Sequence, residues 1–171
     1  MSKEVKPIHA LGFFSLSTTG VVDQFIVFDY WDPRRYYWTI FQEGLLDEEL
    51  EGLKDSMQTL LDKEKVYINK EETRPIVLSV DLIFRGKRFP SILFFIRFSG
   101  KLVKGLNVYE NIYESTVSEY DYEFYWMLPE NASIVKVIVD GDYEVERNLL
   151  KVWVSKGTKI KGYEKIVFKL T

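Results

Sequence analysis

The sequence predicts an α+β fold that is mainly antiparallel β, with a β-sandwich-like C-terminal part and one amphipathic helix packed on sheet. Three observations predict it. Only the stretch 46–63 carries apolar residues at helical spacing, almost every other stretch alternates with period two, and turn-forming residues recur at short intervals after residue 76.

Taken in order, strands are predicted near 8–16, 21–30 and 36–42. Thr18-Thr19-Gly20 and Asp32-Pro33-Arg34-Arg35 supply the turns between them. Pro33 pre-sets one backbone angle, and Asp32 has a carboxylate for its neighbours' amides. The helix follows, with Leu46, Leu50, Leu53, Met57, Leu60 and Leu61 forming one apolar stripe. Asp47 is read as its N-cap, Glu48 and Glu49 face the positive end of the dipole, and Lys63 and Lys65 face the negative end. Glu51, Lys54, Asp55 and Asp62 are expected in water, while Leu53 and Leu60 are expected against sheet.

A short strand at 66–69 leads into the charged stretch 69–75, the best linker candidate in the chain. It divides a β-rich part, 1–75, from a sandwich-like part, 76–171; a single continuous domain is the alternative organisation. In the second part strands are predicted near 76–84, 90–98, 106–114, 120–128, 133–139, 143–154 with a break at Arg147-Asn148, and 163–170. The gaps between them are too short for parallel crossovers, which predicts antiparallel pairing. Ile76, Leu78, Val80, Leu82 and Phe84 share one face of their strand, and Tyr120, Tyr122, Phe124, Trp126 and Leu128 one face of theirs. In 90–98 both faces are apolar, so this strand is expected to be covered on both sides.

Composition narrows the chemistry. The 171 residues include one His and no Cys, which excludes disulfides, a thiolate nucleophile, zinc ribbons and HExxH sites. No nucleotide-binding glycine loop, GxSxG or EF-hand loop occurs, and Asp140-Gly141-Asp142 reads as a hairpin turn. No cofactor and no metal site are expected. No run approaches the ~20 apolar residues of a membrane span, and the charged N-terminal stretch is unlike a signal peptide. A cytoplasmic protein is therefore expected, with Lys- and Glu-rich usage that matches thermophile habits. The net charge of −3 weighs against nucleic acid.

Two segments concentrate polar and aromatic side chains. The stretch 109–126 offers Glu110, Tyr113, Asp121, Glu123 and Tyr125 as ligand-binding candidates, where rings stack on a sugar and carboxylates hold hydroxyls. Glu110 and Glu123 would be the acid and base of a glycosidase. The turn around 29–38 offers Trp31, Arg34 and Arg35, beside Asp29 and Asp32. His9, sharing a strand face with Leu11 and Phe13, is read as structural, and no catalytic residue is assigned. The plain alternative for both segments is that aromatics form strands while acids face water.

Charge is arranged in blocks. Residues 85–104 sum to +6, residues 110–146 to −9 and residues 147–169 to +6. Either acidic strands pair laterally with basic ones, or the blocks meet a complementary surface on a protein partner or a second copy. The expected function is a non-catalytic interaction or scaffold domain. The alternatives are a small-ligand or carbohydrate-binding β-sandwich and, behind it, a carboxylate-dependent hydrolase.

Overall fold

The computed structural model describes residues 4–171. Its elements are β1 (Lys6–Leu16), β2 (Val21–Trp31), α1 (Tyr36–Gln42), α2 (Leu46–Leu61), β3 (Lys65–Ile68), β4 (Glu71–Thr73), β5 (Ile76–Gly86), β6 (Phe89–Ser99) and β7 (Gly105–Ile112). They continue with β8 (Thr116–Val117), β9 (Asp121–Met127), β10 (Ala132–Ile138), β11 (Asp142–Glu146), β12 (Leu149–Val154), β13 (Lys159–Ile160) and β14 (Tyr163–Leu170). The fold is α+β and mainly antiparallel. A seven-stranded sheet runs β11-β12-β9-β1-β2-β6-β5, a five-stranded sheet runs β10-β14-β7-β3-β4, and β8 pairs with β13. Both large sheets draw strands from either side of residue 75. No helix among the described residues is long and apolar enough to cross a membrane.

One face of the large sheet is dry from β12 to β5, and two different layers cover it, while the edge strand β11 is exposed throughout. Under the five-stranded sheet lie Leu16, Val22, Phe98, Phe124, Trp126, Leu150 and Val152, against Val66, Ile68, Tyr109, Ile166 and Phe168. Under the helices lie Tyr30, Val77, Leu82, Ile92, Phe94 and Ile96, against Tyr37, Ile40 and Leu61. The alternation read from 92–98 and 120–128 is this face, and the predicted break at Arg147-Asn148 is the turn between β11 and β12.

The structure departs from the sequence reading at several points. Residues 36–42 form a helix, although Tyr-Tyr-Trp-Thr-Ile-Phe is strong strand material. Local capping overrides that propensity: Asp32 Oδ2 accepts the Tyr37 N–H at 3.0 Å. At the other end Gly44, at φ 72°, closes the helix with bonds from Gly44 N to Phe41 O and from Leu45 N to Ile40 O. Asp47 lies inside the first turn of α2, and the N-cap is Leu45 without a side-chain bond. Lys63 and Lys65 lie past its last turn, which holds no basic residue. Leu61 is the stripe's buried residue, Leu53 is partly buried and Leu60 is 55% exposed.

A bulge between Val77 and Ser79 turns Val77 inward and leaves Ile76 and Leu78 exposed. The stretch read as a linker is the β3–β4 hairpin, turning on Asn69 and Lys70, both at positive φ. Asp140-Gly141-Asp142 carries the chain from one sheet to the other, since β10 pairs with β14 and β11 with β12. One pair is parallel, β1 with β9; its crossover runs through both helices and several strands, which short gaps between sequence neighbours did not reveal. Finally, β6 is covered on one side only, and its outer Phe95 is 40% exposed.

Candidate functional site

The uncovered face of the seven-stranded sheet is where the register places its most distinctive side chains. Residues opposite one another across neighbouring strands point to the same face, so the pairing gives whole rows. One row runs Glu144, Lys151, Tyr125, Phe13, Phe25, Phe95, Ser79. The next runs Asp142, Trp153, Glu123, Leu11, Val27, Leu93, Asp81. The middles of both rows are apolar and their ends polar or charged. Phe25 and Phe95 pack with ring centroids 5.0 Å apart, and Phe13 and Phe95 are 38% and 40% exposed.

Rows with polar groups at their centres bound this strip above and below. On one side Arg97 Nε donates to Asp23 Oδ1 at 2.7 Å. On the other, five strands contribute to one network. His9 on β1 lies between two carboxylates, with Nε2 2.7 Å from Glu123 Oε2 and Nδ1 3.5 Å from Asp29 Oδ2. The buried Ser91 hydroxyl donates to Asp29 Oδ1. Arg85 Nε donates to the same carboxylate oxygen at 3.3 Å and to Ser91 Oγ at 3.2 Å. The order is hydroxyl, carboxylate, imidazole. A nucleophile relay needs the imidazole in the middle, and Ser91 is fully buried. The network therefore suits holding and orienting groups rather than activating the serine.

Beside it opens a recess of about 300 Å³ whose polar wall is His9, Asp29, Arg85 and Ser91 and whose apolar wall is Ile8, Tyr30, Phe89 and Pro90. Among the described residues no group of three or more His, Asp or Glu side chains is disposed to hold a metal ion.

The other residues singled out from the sequence are dispersed. Tyr125 joins the aromatic row beside Phe13, and Asp121 Oδ1 accepts the Lys156 N–H at 2.7 Å, closing a loop. Glu110 is on the outer face of the five-stranded sheet, accepting from the Tyr163 hydroxyl at 2.6 Å, with Lys165 Nζ at 3.9 Å. Glu110 and Glu123 thus face away from each other on different sheets, and do not flank a common cleft. Tyr113 reaches between the layers and donates to Glu164 Oε1 at 2.9 Å. Burial drives the Glu164 carboxyl up to about 7, with Glu64 and Asp140 adding to the rise. Glu64, held by Asn111 Nδ2 at 3.1 Å, is raised by burial as well.

In the other segment, Trp31 packs on Phe89 with centroids 5.1 Å apart and Arg34 Nε meets Glu4 at 2.5 Å. Arg35 takes the left-handed conformation that starts α1. Arg85, Ser91, Phe25 and Phe95 were not singled out as site residues. Their signal is lateral, in the register, and no single strand displays it.

The acidic block meets the C-terminal basic block within the chain at two ion pairs: Lys151 Nζ is 2.6 Å from Glu146, and Lys165 Nζ is 3.9 Å from Glu110.

No family model matches this chain, and no curated protein does. Among solved structures, the folded domain of LppM from Mycobacterium tuberculosis is similar over 100% of this chain and 94% of that one, at 8% identity and a TM-score of 0.48. An aminopeptidase N family protein from Idiomarina loihiensis is similar over 92% of this chain and 29% of its own, at 7% identity and a TM-score of 0.42. For an M1 zinc metallopeptidase from Deinococcus radiodurans the figures are 97%, 42%, 8% and 0.37. The chain spans less than half the length of either peptidase. Likenesses this remote carry nothing on function.

Proposed function

We propose that this chain is a non-catalytic binding domain that docks a protein partner on the outer face of its seven-stranded sheet. The partner presents an apolar centre and a basic rim. The observation that carries the reading is the pair of apolar rows, Leu11–Val27–Leu93 and Phe13–Phe25–Phe95, on a face that no element among the described residues covers, with Val27 itself 7% exposed between its neighbours. Contiguous apolar surface rimmed by charge is the usual preparation for a protein interface.

Charge supports the choice of partner. Around the strip Asp23, Asp81, Glu123, Glu144 and Glu146 outnumber Arg97 and Lys151, so a basic rim is complementary and a second copy meeting face to face is repelled. The sheet's edges support docking on the face rather than strand addition. On the β5 edge Gln58 Oε1 takes the Val77 N–H and Asp81 takes the Leu82 N–H, and two bulges interrupt the strand. The opposite edge, β11, carries Asp142, Glu144 and Glu146. Both are devices that discourage edge pairing. A cytoplasmic setting belongs to the same proposal and rests on composition.

The test is affinity capture from an extract of the source cells by the wild-type chain and by Phe95→Asp. A basic protein retained by the first, lost from the second and released by roughly half-molar salt supports the reading. Equal retention by Phe95→Asp contradicts it.

A further inference from the structure

We propose that the recess between Arg85, His9 and Phe89 binds a small organic anion, a carboxylate or phosphate monoester on a compact apolar body. Donors and acceptors in the recess do not balance. Asp29 Oδ1 is occupied by the Ser91 hydroxyl and by Arg85 Nε, and Oδ2 faces His9 Nδ1 at 3.5 Å. Glu123 Oε2 is occupied by His9 Nε2 at 2.7 Å. Asp29 is thus the one acid in the lining, with Oδ1 doubly engaged, and Glu123 lies outside the lining.

The guanidinium is not spent. Among the described residues Arg85 is engaged through Nε alone, shared between Asp29 and Ser91, while its side chain is 62% exposed. A guanidinium anchored at Nε keeps both terminal nitrogens for two oxygens of one carboxylate or phosphate, the geometry in which such pairs are strongest. The anchor is firm, because Ser91 is fully buried and Asp29 is held from three sides.

The other wall explains why the anion is organic. Ile8 and Phe89 are each 45% exposed over the buried Pro90. A bare inorganic ion leaves that surface wet, whereas an aryl or short alkyl body covers it. These residues are distinct from the aromatic rows, so the inference stands apart from the docking proposal.

The experiment is a titration of the nitrogen-15-labelled full chain with phenyl phosphate, phenylacetate, inorganic phosphate and benzylamine, read from amide shifts. Saturable shifts at His9, Asp29, Phe89 and Ser91 are expected with one of the two aromatic anions, at a Kd of about 1 mM or tighter for ligands of this size. Which anion binds more tightly tells phosphate from carboxylate. Arg85→Gln is expected to weaken binding at least about tenfold, Arg85→Lys less, and Phe89→Ala about threefold or more. Arg97→Gln, on the same sheet face, leaves it unchanged. Each variant is checked for the wild-type spectrum. The proposal is overturned if these amides stay still up to about 10 mM ligand, or if Arg85→Gln binds as well as the wild type. It is equally overturned if inorganic phosphate matches phenyl phosphate, or if benzylamine binds more tightly than both anions.

Discussion

Ile92 and Phe95 stand three residues apart on β6 and point to opposite faces, so truncating each to Ala weighs one face against the other. Ile92 is fully buried beneath the helices, among Leu82, Phe94 and Tyr37. Its change to Ala removes three methylene equivalents at about 0.8 kcal/mol each. A residual cavity adds to this, for a total of about 3–5 kcal/mol. Phe95 is 40% exposed, so about three-fifths of a phenylalanine's burial is at stake, roughly 1–2 kcal/mol. No enclosed cavity is left on an open face, and the Phe25 ring at 5.0 Å loses a partner worth about 0.5–1 kcal/mol. Urea melts of the two variants should therefore differ by about 2 kcal/mol, and thermal midpoints by about 4–8 °C at this chain length. Equal losses, or a larger one for Phe95→Ala, would mean that something covers the outer face of the isolated chain, and the reasoning from an open face would fail.

Two further outcomes follow from the packing. Asp32 caps α1 through the Tyr37 N–H from a position 1% exposed, so Asp32→Ala should cost about 1–2 kcal/mol in a denaturant melt, and a neutral result would show that α1 does not depend on this cap. Glu164 binds its proton more tightly folded, at about 7, than unfolded near 4.5, so the folded state holds the extra proton between those values. Stability should accordingly fall as pH rises from about 4.5 to about 7, by roughly 1–3 kcal/mol. Glu164→Gln should flatten that fall, and an unchanged slope would place the titration elsewhere.

The sequence displays what a single strand's period can display. The inner residues of 92–98 and 120–128, the helix near 46–61 and the turn at 147–148 all follow from local spacing and turn chemistry. Helix α1 was hidden because its side chains favour strand, while its two ends, at Asp32 and Gly44, favour helix. The inversion at Ile76 and Leu78 was hidden because a bulge shifts the alternation without a mark in residue type. The open face was hidden for a different reason. Apolar residues at 93 and 95 say that a surface is apolar, and only the arrangement of other elements says whether anything lies over it. The site was partly legible, since His9, Asp29, Glu123 and Tyr125 all attracted notice as separate features. That His9 lies between Asp29 and Glu123 depends on β1 joining β9 in parallel across most of the chain, which no local pattern encodes. Glu110 and Tyr113 attracted the same notice, and the five-stranded sheet carries them away from the others.

The docking proposal is tested most directly by methyl and aromatic-ring spectra of the chain, free and saturated with the protein it captures. Side chains report faces where backbone amides report only strands. The account predicts shifts at Leu11, Val27 and Leu93 and at the rings of Phe13, Phe25 and Phe95, with Val22, Ile92 and Ile96 on the inner face unmoved. Shifts confined to the β11 edge, the helices or the five-stranded sheet, with the two apolar rows silent, would contradict it.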